Sequence, residues 1–404
     1  MNHPPVIFLA LARWDSPYSS TAFALAREMA NNRQVFYLEN PFTLKDLVLG
    51  FLKPQLRKRI AVWLGLKSFY HSIPDSSELI IVYPPLVLPI NWLPKGKTYR
   101  FLSQINNKRL LKRLQRIIKD HQLSEFHLIN IFQPFYGFDL PKEIQPKRYL
   151  YFCVDVIRHS AYIGKHGHYL EKEIMQQVDA VCTTSSQLQA YAESSTSRPV
   201  YLIPNGVNFT LFSQPANPPQ ILAREKRKII LYTGAIGLRI DYVLLEKIAI
   251  SFPDQLLVLV GPKTQTFEET GLNQYENVLF TGPRPLEELP GFLAAASCTI
   301  IPFRCNELTR GIYPLKINEY LAAGKPVVAT RFSPDLQQFE NVIEIADSHE
   351  TFIQKLAQTL EGEEKELSEI RRNIAGNNRW EQRLQLLDRV LEQDSDNLRN
   401  TIKP

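Results

Sequence analysis

The sequence predicts an α/β protein made of two Rossmann-like domains, each a parallel sheet flanked by helices. Three observations carry that reading. Short apolar runs alternate with helical stretches along most of the chain, the pattern of parallel sheets covered on both faces. At 404 residues the chain is too long for one ordinary core, and two domains of roughly 200 residues each are the default. A Pro- and Asn-rich stretch from Pro204 to about Lys226 interrupts the alternation near mid-chain, as a linker would.

In the first half, Val6–Ala10 reads as a strand, Thr21–Ala30 as a helix capped by Ser19 or Ser20, and Val35–Leu38 as the second strand. A less regular basic stretch follows. Then come strand Leu79–Tyr83, helix Lys108–Lys119, strands Phe126–Asn130 and Tyr149–Val154, a helix around Tyr169–Val178, strand Ala180–Thr184, and strand Val200–Ile203. The second half restarts with strand Ile229–Thr233, helix Tyr242–Ile250, and strands Leu256–Val260 and Asn277–Phe280. A helix ends at Ala296 before strand Cys298–Ile301. The last residues form a charged helix with Trp380, Leu384, Leu387, Val390 and Leu391 on one face.

The most informative stretch runs from Cys298 to Thr330. It reads as a buried strand, a polar loop, a short helix and another strand. Leu315 to Ala323 favours helix, Gly324 is the expected left-handed stop, and Pro326 forbids continuation. A loop that follows a strand and opens a helix aims free N–H groups and partial positive charge at whatever sits there. This loop adds Arg304, Thr309, Arg310 and Lys316, with Glu319 one turn into the helix. Phosphate donors beside one carboxylate suit a nucleotide diphosphate whose ribose hydroxyls need an acceptor.

That wording, Pro314-Leu-Lys-Ile-Asn-Glu-Tyr-Leu-Ala-Ala-Gly-Lys-Pro-Val-Val328, resembles the GT-B nucleotide-sugar glycosyltransferases, especially the retaining family 4 (group 1) enzymes. The resemblance is specific over about residues 228–330 and is closest to a divergent branch of surface polysaccharide assembly. It implies two Rossmann-like parallel-sheet domains facing each other across a cleft. They would comprise residues 1–207 on the acceptor side, a linker at 208–227, a donor domain at 228–375, and a helix at 376–404 returning to the first domain. The run Ile203-Pro-Asn-Gly-Val207 resembles the family's interdomain hinge, although any turn before a loop reads the same. Glu319 matches the second carboxylate of the family's Glu-x7-Glu segment, which accepts from ribose hydroxyls. Where the first would stand the chain has Gly311, and Pro314 has no N–H to replace one of the amides that family members offer to phosphate. Thr309 and Lys316 are expected to take over that contact, with Leu315 opening the helix.

The turn Gly234-Ala-Ile-Gly237 follows a strand and would let backbone approach the diphosphate or sugar. Alone it is weak, because the full dinucleotide fingerprint is absent. Family members follow this turn with an Arg and a Lys. Arg239 supplies one cation, no Lys follows it, and Arg284 is the expected replacement, against the alternative of a surface salt bridge. On the acceptor side, Trp14, Asp15 and Ser16 follow the first strand at the sheet edge where open α/β sheets bind ligands. Asp155 and His159 follow Tyr149–Val154 at the same edge. Asp155 is the first choice for a catalytic or hydroxyl-binding carboxylate, or equally a cap on the next helix. Lys165-His166-Gly-His168 is a weak ligand set, and no Asp-x-Asp occurs. No metal is expected, and no cofactor beyond the nucleotide sugar as substrate.

Composition excludes other classes. The four cysteines show no CxxC spacing and read as reduced thiols of a cytoplasmic protein. No apolar run is long enough for a spanning helix, and no signal peptide is expected. Residues 1–213 hold 25 Lys/Arg against 15 Asp/Glu, and the remainder 22 against 26. Residues 45–119 alone carry 15 basic and 3 acidic side chains. Two segments mix them with apolar residues: Leu44–Phe69, with Phe51, Leu52, Lys53 and Trp63, and the helix Lys108–Lys119. Either is a solvated face or a seat on anionic lipid at the inner face of the membrane. A nucleic-acid partner is not expected, because no reader motif accompanies the charge.

The function expected is metal-independent transfer of a hexose, with retention, from a nucleotide diphosphate sugar to a glycan or lipid-linked acceptor in surface polysaccharide or glycolipid assembly. The rivals are a nucleotide-sugar epimerase of the same fold, and an inactive scaffold that kept the fold.

Overall fold

The structure is a computed structural model. It describes all residues except 1–2, 17–19, 51–53, 75, 161, 264–270, 363–364 and 393–404, and it does not describe the side chains of His159 and Lys365. Ser19, Phe51, Leu52, Lys53 and the His159 side chain therefore lie outside the described residues. The chain divides into two compact units, Met1–Ile203 with Leu384–Pro404, and Pro204–Arg383.

Unit 1 holds strands β1 (Val6–Ala10), β2 (Val35–Leu38), β3 (Tyr70–Ile73), β4 (Ser76–Val82), β5 (His127–Ile131), β6 (Arg148–Cys153), β7 (Ala180–Thr183) and β8 (Val200–Leu202). They form one sheet in the order β3-β4-β2-β1-β5-β6-β7-β8. Every pairing is parallel except the edge pair β3–β4. β1 and β2 are buried at every position, which is why they read as unbroken apolar runs rather than alternating ones. Ser20 caps the helix Thr21–Met29 by accepting from the Phe23 N–H at 3.1 Å.

The basic stretch resolves into helices Leu44–Gly50 and Pro54–Trp63 before β3. Strand β3 escaped sequence reading because Tyr-His-Ser-Ile is short and half polar. The helix expected over Lys108–Lys119 begins at Lys97. Its first turns bury Ser103, Asn106 and Asn107, so the apolar period that marks a helix is hidden there. Its Leu110, Leu111, Leu114 and Ile117 pack into the unit 1 core.

Unit 2 holds β9 (Ile229–Thr233), β10 (Leu256–Val260), β11 (Val278–Gly282), β12 (Cys298–Ile301), β13 (Val327–Thr330) and β14 (Glu344–Ala346). Their order is β11-β10-β9-β12-β13-β14, and all pairings are parallel. The order reverses between β9 and β12, so the loops leaving β9 and β12 splay apart at the sheet's C-terminal edge and leave the crevice in which such sheets bind ligands. The charged C-terminal region forms two helices, Lys365–Gly376 and Trp380–Glu392. From Leu384 onward the second of these belongs to unit 1, where Leu387, Val390 and Leu391 are buried.

Candidate functional site

Three glycines end adjacent strands of unit 2, and each lies in the region of φ that favours glycine. Gly234 after β9 has φ 134°, Gly261 after β10 has φ 149°, and Gly282, which ends β11, has φ 74°. Their backbones lace the edge: the Gly234 N–H donates to the Val260 carbonyl at 2.8 Å, and the Gly261 N–H to the Gly282 carbonyl at 3.0 Å. A Cβ at Gly261 would stand 1.9 Å from the Gly234 carbonyl oxygen. The edge is thus shaved to bare backbone, which leaves room for a ligand or another chain segment to approach.

Lys316 fills part of that room. A Cβ built on Gly234 would lie 3.1 Å from Lys316 Cε and 3.3 Å from Nζ. The ammonium also lies 4.8 Å from the Phe303 ring centroid and 5.4 Å from that of Tyr232. Lys316 and Glu319 sit three residues apart on the helix Leu315–Ala322, so they share one face. Both are half-buried, and among the described residues neither has a hydrogen-bond partner. Burial lowers the Lys316 pKa to about 8, with the Glu319 charge opposing that shift and Arg239 adding to it. Burial raises Glu319 to about 7, with Lys316 opposing.

The helix is held to the strand edge by Tyr320. Its hydroxyl accepts from the Thr233 N–H at 2.8 Å and lies 3.1 Å from Thr233 Oγ1. Asn318, fully buried, donates to the Tyr313 hydroxyl at 3.1 Å and accepts from Asn378 Nδ2 at 3.0 Å. Asn205 donates to the Tyr313 carbonyl at 2.9 Å. Sequence reading missed Tyr320 and Asn318, because nothing in spacing shows what a buried polar side chain on a helix will meet.

The loop before the helix is held by its own contacts. Thr309 is fully buried. Its hydroxyl donates to the Arg304 carbonyl, and it closes a capping box with Asn306 on the turn Glu307–Arg310. Its hydroxyl hydrogen therefore serves the loop. Arg304 is exposed and donates through Nε to the Ile240 carbonyl at 3.0 Å, clasping the Gly234–Asp241 loop. Within that loop the Gly237 carbonyl accepts from the Ile240 N–H at 3.0 Å. Arg239 adds to the lowering of the Lys316 pKa, so the two cations feel each other's charge. Arg284 stands beyond β11, the far edge of the sheet, 3.7 Å from Glu288. Leu315 opens the helix after Pro314 with no side-chain cap. Lys263, which the sequence reading passed over, follows β10 with its ammonium 3.9 Å from the Phe280 ring.

In unit 1 the residues after β1 are built into structure. Asp15 accepts from both terminal nitrogens of Arg59 at 3.0 Å. Arg59, fully buried, also meets Glu39 at 2.6 and 2.7 Å. Trp14 lies 5.2 Å from His71 ring to ring, and the Ser16 N–H donates to the Arg13 carbonyl at 3.2 Å. Asp155 follows β6 and accepts from the Val156 N–H at 2.8 Å. Both histidines of the His166-Gly-His168 run are engaged: His166 lies 3.0 Å from the Leu93 carbonyl, and His168 lies 2.9 Å from that of Gly164. Among the described residues no three His, Cys, Asp or Glu side chains gather as a metal site.

Comparison with known proteins falls on the same region. Residues 227–362 match the model of the family described as glycosyl transferases group 1. A Bacillus subtilis (strain 168) protein named "Putative teichuronic acid biosynthesis glycosyltransferase TuaH" is 29% identical over 223 residues, which span 52% of this chain and 56% of that protein. Sucrose-phosphate synthase from Thermosynechococcus elongatus superposes with a TM-score of 0.66 at 15% identity, covering 96% of this chain and 98% of that one. WaaG, a glycosyltransferase involved in lipopolysaccharide biosynthesis, gives a TM-score of 0.59 at 15% identity, with coverages of 96% and 100%. An E. coli trehalose-6-phosphate protein bound with UDP-2-fluoro glucose gives 0.67 at 8% identity, with coverages of 96% and 99%. These structures establish the fold, and the family match covers the stretch that carries the glycine edge, Lys316 and Glu319. That stretch is a group 1 glycosyltransferase domain, in a chain of the GT-B fold.

Proposed function

We propose that the protein transfers a hexose, with retention, from a nucleotide diphosphate sugar to a glycan or lipid-linked acceptor in surface polysaccharide assembly. The observation that carries this is the Lys316–Glu319 pair, a cation and a carboxylate on one helix face with no hydrogen-bond partner among the described residues. A diphosphate laid over Gly234 would meet Lys316 and Arg239. Glu319 would accept from the ribose hydroxyls.

Breaking the bond between sugar and diphosphate develops negative charge on the leaving phosphate. Donors fixed in a partly dry site stabilise that charge far more than water does. Here the fixed charge is cationic side chains, so we infer that the reaction proceeds without a divalent metal. Asp155 is the carboxylate we assign to the acceptor side. The B. subtilis relative's name and the UDP-sugar carried by the E. coli neighbour support surface polymer assembly and a uridine donor. We place this work in the cytoplasm, with the chain peripheral on the inner face of the membrane, because exposed apolar side chains gather in its basic region.

The test is calorimetric binding of UDP, GDP, ADP and dTDP, with and without EDTA, alongside Glu319→Ala. EDTA-insensitive binding of one nucleotide, weakened in the variant, supports the reading. Binding of none overturns it. Conversion of the sugar nucleotide without any acceptor would point instead to an epimerase.

A further inference from the structure

All eight exposed large hydrophobic side chains described in unit 1 fall between Leu44 and Tyr162. Such residues scattered singly mean little, but a gathered set rimmed by one sign of charge marks an interaction surface. Contacts gather the elements that carry five of these: Leu44, Val48, Leu49, Trp92 and Tyr162. The Leu44 N–H donates to the Val87 carbonyl at 3.0 Å, which pins the helix Leu44–Gly50 beside the 87–96 loop. In that loop Asn91 donates to the Tyr162 carbonyl at 2.8 Å, and Lys165 donates to the Trp92 carbonyl at 2.9 Å. Asp46, on the same short helix, lies near enough to Tyr162 to help burial push its phenol up. Helix, loop and Tyr162 are therefore one surface.

On it Val48 is 73% exposed, Leu49 72%, Trp92 73% and Tyr162 66%. The Trp92 indole N–H donates to the Pro89 carbonyl at 2.8 Å, so burying its ring strands no polar atom. Lys45, Lys95 and Lys165 are exposed around the patch. Asp46 is occupied by the Thr43 N–H and hydroxyl at 2.8 Å. The helix at Lys97–Asp120, basic though it is, does not contribute its apolar face, which lies in the core.

We propose that Val48, Leu49, Trp92 and Tyr162, ringed by Lys45, Lys95 and Lys165, form the seat by which this chain docks on an anionic bilayer. Charge chooses the occupant: lysines around aliphatic and indole groups match acyl chains below acidic headgroups. No helix among the described residues is long and apolar enough to cross a membrane, so the contact is a surface one. The inference deepens the peripheral placement given above and does not depend on the donor-site chemistry.

The experiment is co-sedimentation of the full chain with phosphatidylcholine vesicles, and with vesicles carrying about one third phosphatidylglycerol. Anionic vesicles should pellet the protein and neutral ones should not. Lys45→Glu with Lys95→Glu should weaken partition by at least roughly fivefold per lysine, and added salt should weaken it further. Leu49→Ser with Trp92→Ser should abolish it while leaving the circular dichroism spectrum and UDP binding unchanged. That last pair of readouts separates failure of docking from failure of the donor-site reading. Equal partition onto both vesicle types, no partition, or partition indifferent to these variants overturns the proposal. So does a concentration-dependent dimer that the same variants dissolve, which would make the patch a protein interface.

Discussion

Replacing Lys316 with Met should move binding and stability in opposite directions. Met keeps the length and most of the volume of the lysine stem, so the space beside Gly234, Tyr232 and Phe303 stays filled. What disappears is the ammonium, which among the described residues has no hydrogen-bond partner. If it is there for the diphosphate, its loss removes one charge-assisted contact of about 1.5–3 kcal/mol, or roughly 10- to 150-fold in the UDP dissociation constant. Stability should not fall with it. Burial lowers the Lys316 pKa to about 8, so holding the charged form in the folded chain costs free energy below that pH. Removing the charge at pH 7 should leave the melting temperature unchanged or raise it, by about 2–4 °C for each kcal/mol recovered. Calorimetry with UDP and a thermal melt on the same sample measure both. A variant that binds UDP like wild type, or one that loses several degrees, refutes the argument. In the first case the lysine does not face the donor, and in the second it is a structural member of the core.

Three other substitutions probe separate links. Glu319→Gln should weaken UDP binding and largely erase the preference for UDP over its 2′,3′-dideoxy analogue, measured by the same calorimetry; unchanged discrimination would place the ribose elsewhere. Arg59→Leu strands the buried Glu39 carboxylate and should cost about 3–5 kcal/mol in urea unfolding of unit 1, with UDP affinity unchanged, since every group in that cage belongs to unit 1. Glu171 is fully buried, and burial raises its pKa to about 7 against the pull of hydrogen bonds from Tyr151 and Tyr191. The folded chain thus binds this proton first as pH falls. The group's favourable contribution is full below about pH 4.5 and is lost as pH rises through 7. Glu171→Gln should match wild type in urea midpoint near pH 5 and exceed it at pH 8, by a few kcal/mol at most; equal midpoints at both pH values would show that no ionised Glu171 is being held.

Most of the architecture was legible because parallel strands buried on both faces write themselves as unbroken apolar runs. β1, β2, β9, β10, β12 and β13 all do so. Where that logic lapsed, reading lapsed. β3 is a half-buried antiparallel edge, and β14 is three residues at the other sheet's margin. The helix Gly164–Gln177 starts earlier than its apolar period because His166 is buried by polar and aromatic partners, stacked 3.7 Å from Tyr99. That Lys316 and Glu319 share a helix face was legible from their spacing of three residues. Asp15 was read as available because it follows a strand at the ligand edge, yet its carboxylate is held by an arginine 44 residues away in sequence. Ion pairs of that range leave no local mark.

On the proposed reading, the departures from the family pattern move the positive charge rather than remove it. Pro314 precedes the helix with an extended backbone and no N–H to offer. Two residues on, the Lys316 ammonium stands beside the glycine edge, where the proposed reading has it take the place of a phosphate-binding amide. The two devices differ physically. An amide dipole costs little to leave idle, because water or a neighbouring carbonyl satisfies it. A half-buried lysine beside two packed rings is partly stripped of water, and its lowered pKa records that cost. Glu319 already offsets part of that cost, and a bound diphosphate would offset more, so on the proposed reading the donor-filled site should be the more stable state. If the proposed donor binds there, its binding would be tied to the stability of unit 2 through Lys316, whose helix Tyr320 and Asn318 fix in place.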